Sequence, residues 1–248
     1  MSDNQIMAIR TPIRVCLYLL LATAVRADSP AIARDPKYPA HWWTPVPTNG
    51  APSWEILPQE AGSGEVILSK RNELGLLSNF APTPFTFHGK KYASLEGFWQ
   101  MMKYPEDTSD LRATFPGLEW KLTREQVAQL TAFDAKHAGS AADANMKKMG
   151  ITWVTFEGKR LEPRSTTSDE HYELIVEATR AKVAQNPEVQ KVLLATGDLV
   201  LKPDHHQEPD AAPAWRYYEI LTSIRSDLQK QQAPFTPAQT SPLTPLPR

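Results

Sequence analysis

Residues 94–103 read Ser94-Leu95-Glu96-Gly97-Phe98-Trp99-Gln100-Met101-Met102-Lys103. Ser94 is a good helix N-cap, since its hydroxyl can accept from a backbone N–H of the first turn. The residues after it predict a helix over 95–103. Leu95, Phe98, Trp99, Met101 and Met102 make that helix apolar almost all round, which marks a buried helix. Glu96, Gln100 and Lys103 stand at i, i+4 and i+7 and form one polar stripe. Buried charges are costly unless they are paired or face a wet pocket. Glu96 also lies in the first turn, where the positive end of the helix favours its ionised form. By spacing alone, an internal Glu–Lys pair or a solvated edge is the commoner outcome, and a functional stripe is the alternative.

Around this helix the patterns mix strand and helix. Glu65–Ser69 reads as a short strand, and Pro84–Tyr92 as a hairpin turning at His88-Gly89. Thr123 with Gln126 predicts a capping box and a helix to about His137. Ser140 with Asp143 predicts a further helix, closed by Gly150. Ile151–Phe156 is β-branched and aromatic, hence a strand turning at Glu157-Gly158-Lys159. Ser168–Glu170 open a helix with Tyr172, Ile175, Val176, Thr179 and Val183 on one face. Asn186-Pro187 starts another that ends before Gly197. Ala214–Leu228 is the last. The expected fold is α+β: one helix-rich domain over residues 64–228 with a small antiparallel sheet.

The flanks differ from this domain. The chain has 248 residues and 22 prolines. Seven prolines lie between Asp28 and Glu60, five between Gln229 and Arg248, and only nine in the 163 residues from Val66 to Leu228. Residues 1–27 carry Arg10 and Arg14 ahead of an apolar run over Val15–Val25, then Val25-Arg26-Ala27, which is the pattern of a cleaved export signal. The expected address is therefore periplasmic or secreted, with no stable membrane anchor after cleavage. Residues 28–63 hold Trp42, Trp43, Trp54, Ile56 and Leu57, too apolar for a free linker. They are expected to form an extended arm laid on the domain surface, with a carbohydrate- or partner-binding aromatic patch as the alternative. The tail from 229 is expected to be disordered.

Composition excludes several classes. Removing the signal takes away three arginines and one aspartate, which moves the net charge from −1 to −3. A nucleic-acid binder relying on gross positive charge is disfavoured. The lone Cys16 leaves with the signal, so thiol nucleophiles, disulfides and thiolate metal sites are out of reach. Asp204-His205-His206 could suggest a metal, but a solvated loop is the simpler reading, and neither a metal nor a cofactor is expected. No Gly-x-Ser-x-Gly elbow, Gly-x-x-x-x-Gly-Lys loop or Gly-x-Gly-x-x-Gly turn occurs. Thr196-Gly197-Asp198 follows a helix end and could aim Asp198 at the pocket of Glu96, or simply make an Asx turn.

Several of these motifs together resemble the NADAR, or YbiA-like, family. The resemblance is carried by Leu77-Ser78-Asn79-Phe80, Pro84–Tyr92, Ser94-Leu95-Glu96 with Gln100-x-x-Lys103, Ala184-Gln185-Asn186-Pro187-Glu188 and Leu193-Leu194-Ala195-Thr196-Gly197-Asp198. Trp215 and Leu221–Arg225 are similar to its closing elements, and the similarity covers roughly residues 66–228. It implies an N-glycosidase acting on a ribosyl or ADP-ribosyl compound. The resemblance gives Glu96 the role of catalytic carboxylate, with Asp198 holding ribose hydroxyls or supporting the pocket. It gives substrate contacts to Asn79, Phe80, Gln100, Lys103, Trp153 and Trp215: Asn79 on sugar or base, Phe80 or Trp153 stacking on the base, Lys103 orienting Glu96 or holding a phosphate, and Trp215 as a wall. The implied partner is a small nucleoside or ADP-ribose-type molecule, and an exported enzyme would meet NAD- or ADP-ribose-derived glycosides. The chain departs from the family pattern at Gly97, where the family has histidine or another polar group, and at Trp215-Arg216. A non-catalytic nucleotide-sugar-binding module of the same fold is the competing expectation.

Overall fold

A computed structural model describes residues 34–232. The export signal expected over 1–27, the first residues of the expected arm and the end of the expected tail lie outside the described residues. Seven α-helices and six short strands run in the order β1 (Glu65–Ile67), β2 (Phe85–Phe87), β3 (Lys90–Tyr92), α1 (Leu95–Met101), α2 (Leu111–Thr114), α3 (Arg124–Ala128), α4 (Ala132–Met149), β4 (Val154–Phe156), β5 (Lys159–Leu161), α5 (Glu170–Gln185), α6 (Pro187–Ala195), β6 (Val200–Lys202) and α7 (Tyr217–Gln232). The fold is helix-rich α+β with small sheets, as the sequence predicts. β2–β3 and β4–β5 are hairpins. At their turns His88 (φ 47°) with Gly89 (φ 72°), and Glu157 (φ 50°) with Gly158 (φ 77°), take the left-handed conformation that two-residue hairpin turns demand. β1 and β6 add a parallel pair, with Val66 opposite Leu201. No local signal reveals that pairing, because its partners are 135 residues apart in the register Glu65↔Val200.

α1 is the central helix. Its Ser94 hydroxyl accepts from the Gly97 N–H at 2.9 Å and donates to the Leu130 carbonyl at 2.8 Å. Its other end is held by two buried arginines. Arg112 donates to the Met102 carbonyl at 2.9 Å, and Arg124 to the carbonyls of Met101 (3.2 Å) and Tyr104 (2.8 Å). Cations at a helix C-terminus complement the partial negative charge there.

Helix boundaries near α1 differ from expectation. The capping box at Thr123 and Gln126 forms, but its helix stops at Ala128, and a single helix runs from Ala132 to Met149 through Ser140. The reason is tertiary. The Ala128 carbonyl accepts from the Ala93 N–H at 3.0 Å and the Leu130 carbonyl from Ser94, so both are turned away from helical partners toward the start of α1. Ser140 sits mid-helix and donates to the Lys136 carbonyl at 3.1 Å. Gly150 closes the helix at φ 68°.

The segment expected as a surface arm is part of the core. Trp42 is 1% exposed, and Tyr38 and Trp43 are buried with it. Their polar ends are satisfied from the domain. Trp42 Nε1 donates to Glu73 at 2.7 Å and Trp43 Nε1 to the Glu65 carbonyl at 2.8 Å, while Arg34 grips the carbonyls of Gly62 and Ala61. Rings of this size pay no penalty for burial once the indole N–H is bonded, so they leave water altogether. At the other end, α7 continues through Gln229–Gln232, where the tail was expected to be loose already.

Candidate functional site

Glu96 sits in the first turn of α1 and is 7% exposed. Its N–H donates to the Asn79 carbonyl at 2.9 Å, which sets the Ser78-Asn79-Phe80 turn against the start of the helix. From the other side, Lys182 of α5, fully buried, donates to the Ser78 carbonyl at 2.7 Å. Burial pulls the Lys182 ammonium down to about 7. The turn carrying Asn79 and Phe80 is therefore clamped between two helices.

The expected stripe is real. Gln100 Nε2 donates to Glu96 Oε1 at 2.7 Å, leaving Gln100 Oε1 buried without a partner. The amide fits only because residue 139 is glycine, where a Cβ would lie 1.7 Å from Gln100 Oε1. Lys103 does not pair with Glu96. It donates to Asp143 of α4 at 2.8 Å. Burial raises the Glu96 carboxyl above the usual range, more than the amide of Gln100 and the charges of Lys136, Lys103 and Lys70 lower it. Burial likewise lowers the Lys103 ammonium, against the pull of Asp143. The charges of three ammonium groups thus act on one buried carboxyl that resists ionisation.

Two of those cations, Lys70 and Lys136, were not expected. Lys70 Nζ is ion-paired with Asp204 and stands 5.2 Å from the Phe80 ring centre and 6.0 Å from that of Trp54. A shallow groove of about 490 Å³ runs beside it, lined by Phe80, Ala81, Pro82, Ala132 and Phe133 among others. Phe80 meets the 52%-exposed Phe133 edge to face at 5.3 Å. The only sequence signal for this wall is Phe133 and Lys136 at i, i+3 on α4.

The remaining expected site residues lie elsewhere. Asp198 does not join Glu96: its carboxylate is 86% exposed and pairs with Lys37 at 3.5 Å. Its N–H is taken up as well, donating to the Tyr38 hydroxyl at 3.0 Å. Gly197, at φ 51°, passes so close to Tyr38 that a Cβ would lie 2.7 Å from the hydroxyl. The Thr196-Gly197-Asp198 turn therefore seats Tyr38. Trp215 is 38% exposed and donates to the Pro163 carbonyl at 2.8 Å, with the Arg164 guanidinium over its ring at 5.3 Å, so it pins a loop instead of walling the pocket. Trp153 lies at the far end of α1, between the guanidinium groups of Arg112 and Arg160 at 5.1 and 4.3 Å.

The glycine at position 97 has a cause in the packing. A Cβ there would stand 2.6 Å from the Leu130 carbonyl oxygen. α1 packs backbone to backbone on the 127–130 segment, and no side chain fits. Asp204 and His205 form a hydrogen-bonded pair (Oδ1 to Nδ1, 3.0 Å), with Lys70 on the other carboxylate oxygen. Among the described residues no group of three His, Cys, Asp or Glu side chains could hold a metal ion. No described helix is long and apolar enough to cross a membrane.

No family model and no curated protein matches the chain. Among solved structures it is similar to the NMR structure of the E. coli protein YbiA, with a TM-score of 0.41 and 21% identity over 70% of this chain and 90% of that one. Likeness of this degree fixes neither family nor activity.

Proposed function

We propose that this chain is a hydrolase of the NADAR, or YbiA-like, type that cleaves the N-glycosidic bond of a ribosyl or ADP-ribosyl compound, with Glu96 as its catalytic carboxylate. The observation that carries the reading is Glu96 itself. It is a buried carboxyl at a helix N-terminus, hydrogen-bonded by one amide, with cations around it and no salt-bridge partner among the described residues. Carboxylates placed to make salt bridges look different here, as Glu55 does in its two-point pair with Arg71. Departure of a base from ribose leaves an oxocarbenium-like sugar, which a carboxylate stabilises directly or by drawing a proton from the attacking water. A carboxyl with a raised proton affinity suits that second task. Asn79, on the turn abutting Glu96, is the proposed sugar or base contact, and Phe80 the stacking surface. Lys103, already paired with Asp143, steadies the field at Glu96. Export behind residues 1–27 belongs to the same proposal and points to extracytoplasmic NAD- or ADP-ribose-derived substrates.

A non-catalytic nucleotide-sugar-binding module is the second reading. Gly97 leaves no room for a polar side chain, and Asp198 and Trp215 face away from the site, which favours it. The two are separated by incubating the protein with ribosides, NAD and ADP-ribosylated nucleosides and following free base by chromatography. Release of base supports the hydrolase. Binding without turnover of any member supports the module.

A further inference from the structure

The segment ahead of β1 brings one side chain to the site that the core does not need. Tyr38, Trp42 and Trp43 are consumed by packing, but Trp54 is 45% exposed and stands outside the hydrophobic core. Its backbone is nonetheless held on both sides. The Trp54 carbonyl accepts from the His206 N–H at 3.2 Å, the Ile56 N–H donates to the Asp204 carbonyl at 2.9 Å, and Glu55 grips Arg71 through two hydrogen bonds of 2.7 and 2.6 Å. A half-exposed indole on a fixed backbone is a ring already positioned to receive a planar partner.

What covers it is indicated by its neighbours. The Lys70 ammonium lies 6.0 Å from the Trp54 ring centre and 5.2 Å from that of Phe80, and Phe80 follows Asn79, whose carbonyl accepts from the N–H of Glu96. Lys136 is close enough to Glu96 to favour its ionised form and has no ion-pair partner among the described residues. Lys70 is shared with Asp204; aromatic faces beside it, with the unpaired Lys136 ammonium near Glu96, complement a planar heterocycle that carries an anionic group. We propose that Trp54 is a specificity-determining residue that stacks on the base of a nucleotide whose phosphate is met by Lys136 and Lys70. The inference rests on the hydrolase reading for the identity of the site, and goes beyond it in assigning base recognition to a segment outside the stretch that carries the family resemblance.

Binding is measured by calorimetry in a Glu96→Gln background, so that turnover does not interfere, with AMP, nicotinamide mononucleotide and ribose 5-phosphate as probes. Stacking on an aromatic side chain contributes enough that Trp54→Ala should weaken both nucleotides about tenfold. Ribose 5-phosphate, which has no base, should bind unchanged, and Trp54→Phe should keep most of the nucleotide affinity. Trp54 is exposed, so the variants should melt with the parent. Equal nucleotide affinity in Trp54→Ala overturns the proposal, as does an equal loss for ribose 5-phosphate or no binding of either nucleotide. Base release by the wild type with an unchanged KM in Trp54→Ala would keep the hydrolase and remove this role. Trp54-dependent nucleotide binding in a protein that releases no base would do the reverse.

Discussion

Replacing Gly97 by alanine should destabilise the protein, against the usual trend for a helix. In a helix interior alanine is favoured over glycine by about 0.5–1 kcal/mol. Here the new Cβ would stand 2.6 Å from the Leu130 carbonyl, 3.1 Å from that of Val127 and 3.2 Å from that of Ala128. These are backbone atoms, and Leu130 and Ala128 are already tied to Ser94 and Ala93. Neither side can rotate out of the way, so α1 must back off the 127–130 segment. Overpacking of this kind costs about 1–3 kcal/mol. The expected net loss is about 1–2 kcal/mol, or about 2–8 °C in Tm for a domain of this size. Differential scanning calorimetry at neutral pH reads it directly. A Tm that rises, as an ordinary glycine-to-alanine change in a helix would make it, would refute the backbone contact and with it the explanation of why residue 97 is not polar. Gly97→His should fare worse still.

Three further outcomes follow from the same geometry. Glu96→Gln should stabilise the protein at neutral pH. A carboxyl whose proton affinity is raised by folding binds more protons in the native state than in the unfolded one, so wild-type stability falls as pH rises past the unfolded carboxyl value. The gain in Glu96→Gln should vanish below about pH 4, where both states are protonated, and urea unfolding at several pH values measures it. Gly139→Ala should push Gln100 off Glu96. Since the amide lowers the Glu96 proton affinity, its loss should move the acidic limb of the pH–rate profile upward with little change in fold. Trp42→Ala should cost about 3–5 kcal/mol, measured by denaturant unfolding, because Trp42 is a core residue 1% exposed. A loss near zero would return residues 34–62 to the role of a loose arm.

Local signals in the sequence were enough for much of the fold. Ser94 and Asn186-Pro187 open helices at the residues expected, a third starts within the expected Ser168–Glu170 stretch, and His88-Gly89 makes the expected turn. These features depend on a few neighbouring residues, so a single chain displays them. The break between α3 and α4, the parallel pairing of β1 with β6 and the burial of Trp42 depend on distant partners, and periodicity is blind to those. The site divides in the same way. Glu96 and Gln100 meet because i, i+4 neighbours on a helix must. The charges of Lys70, after β1, and Lys136, on α4, act on Glu96 with nothing local to announce it. Asp198 and Trp215 were misplaced because a motif gives a residue's position along the chain and not the direction of its side chain. Asp198 turns to solvent because the turn beneath it is occupied by Tyr38.

The claim that Glu96 is a catalytic carboxylate is tested most directly by base release from NAD and ADP-ribosylated nucleosides, wild type against Glu96→Gln, with ligand binding measured on both. The account predicts free base from the wild type, a fall of at least about a hundredfold in the variant, the scale on which a positioned proton-transfer group contributes, and binding retained in both. Base release at the same rate in Glu96→Gln, or binding with no release by the wild type, would contradict it.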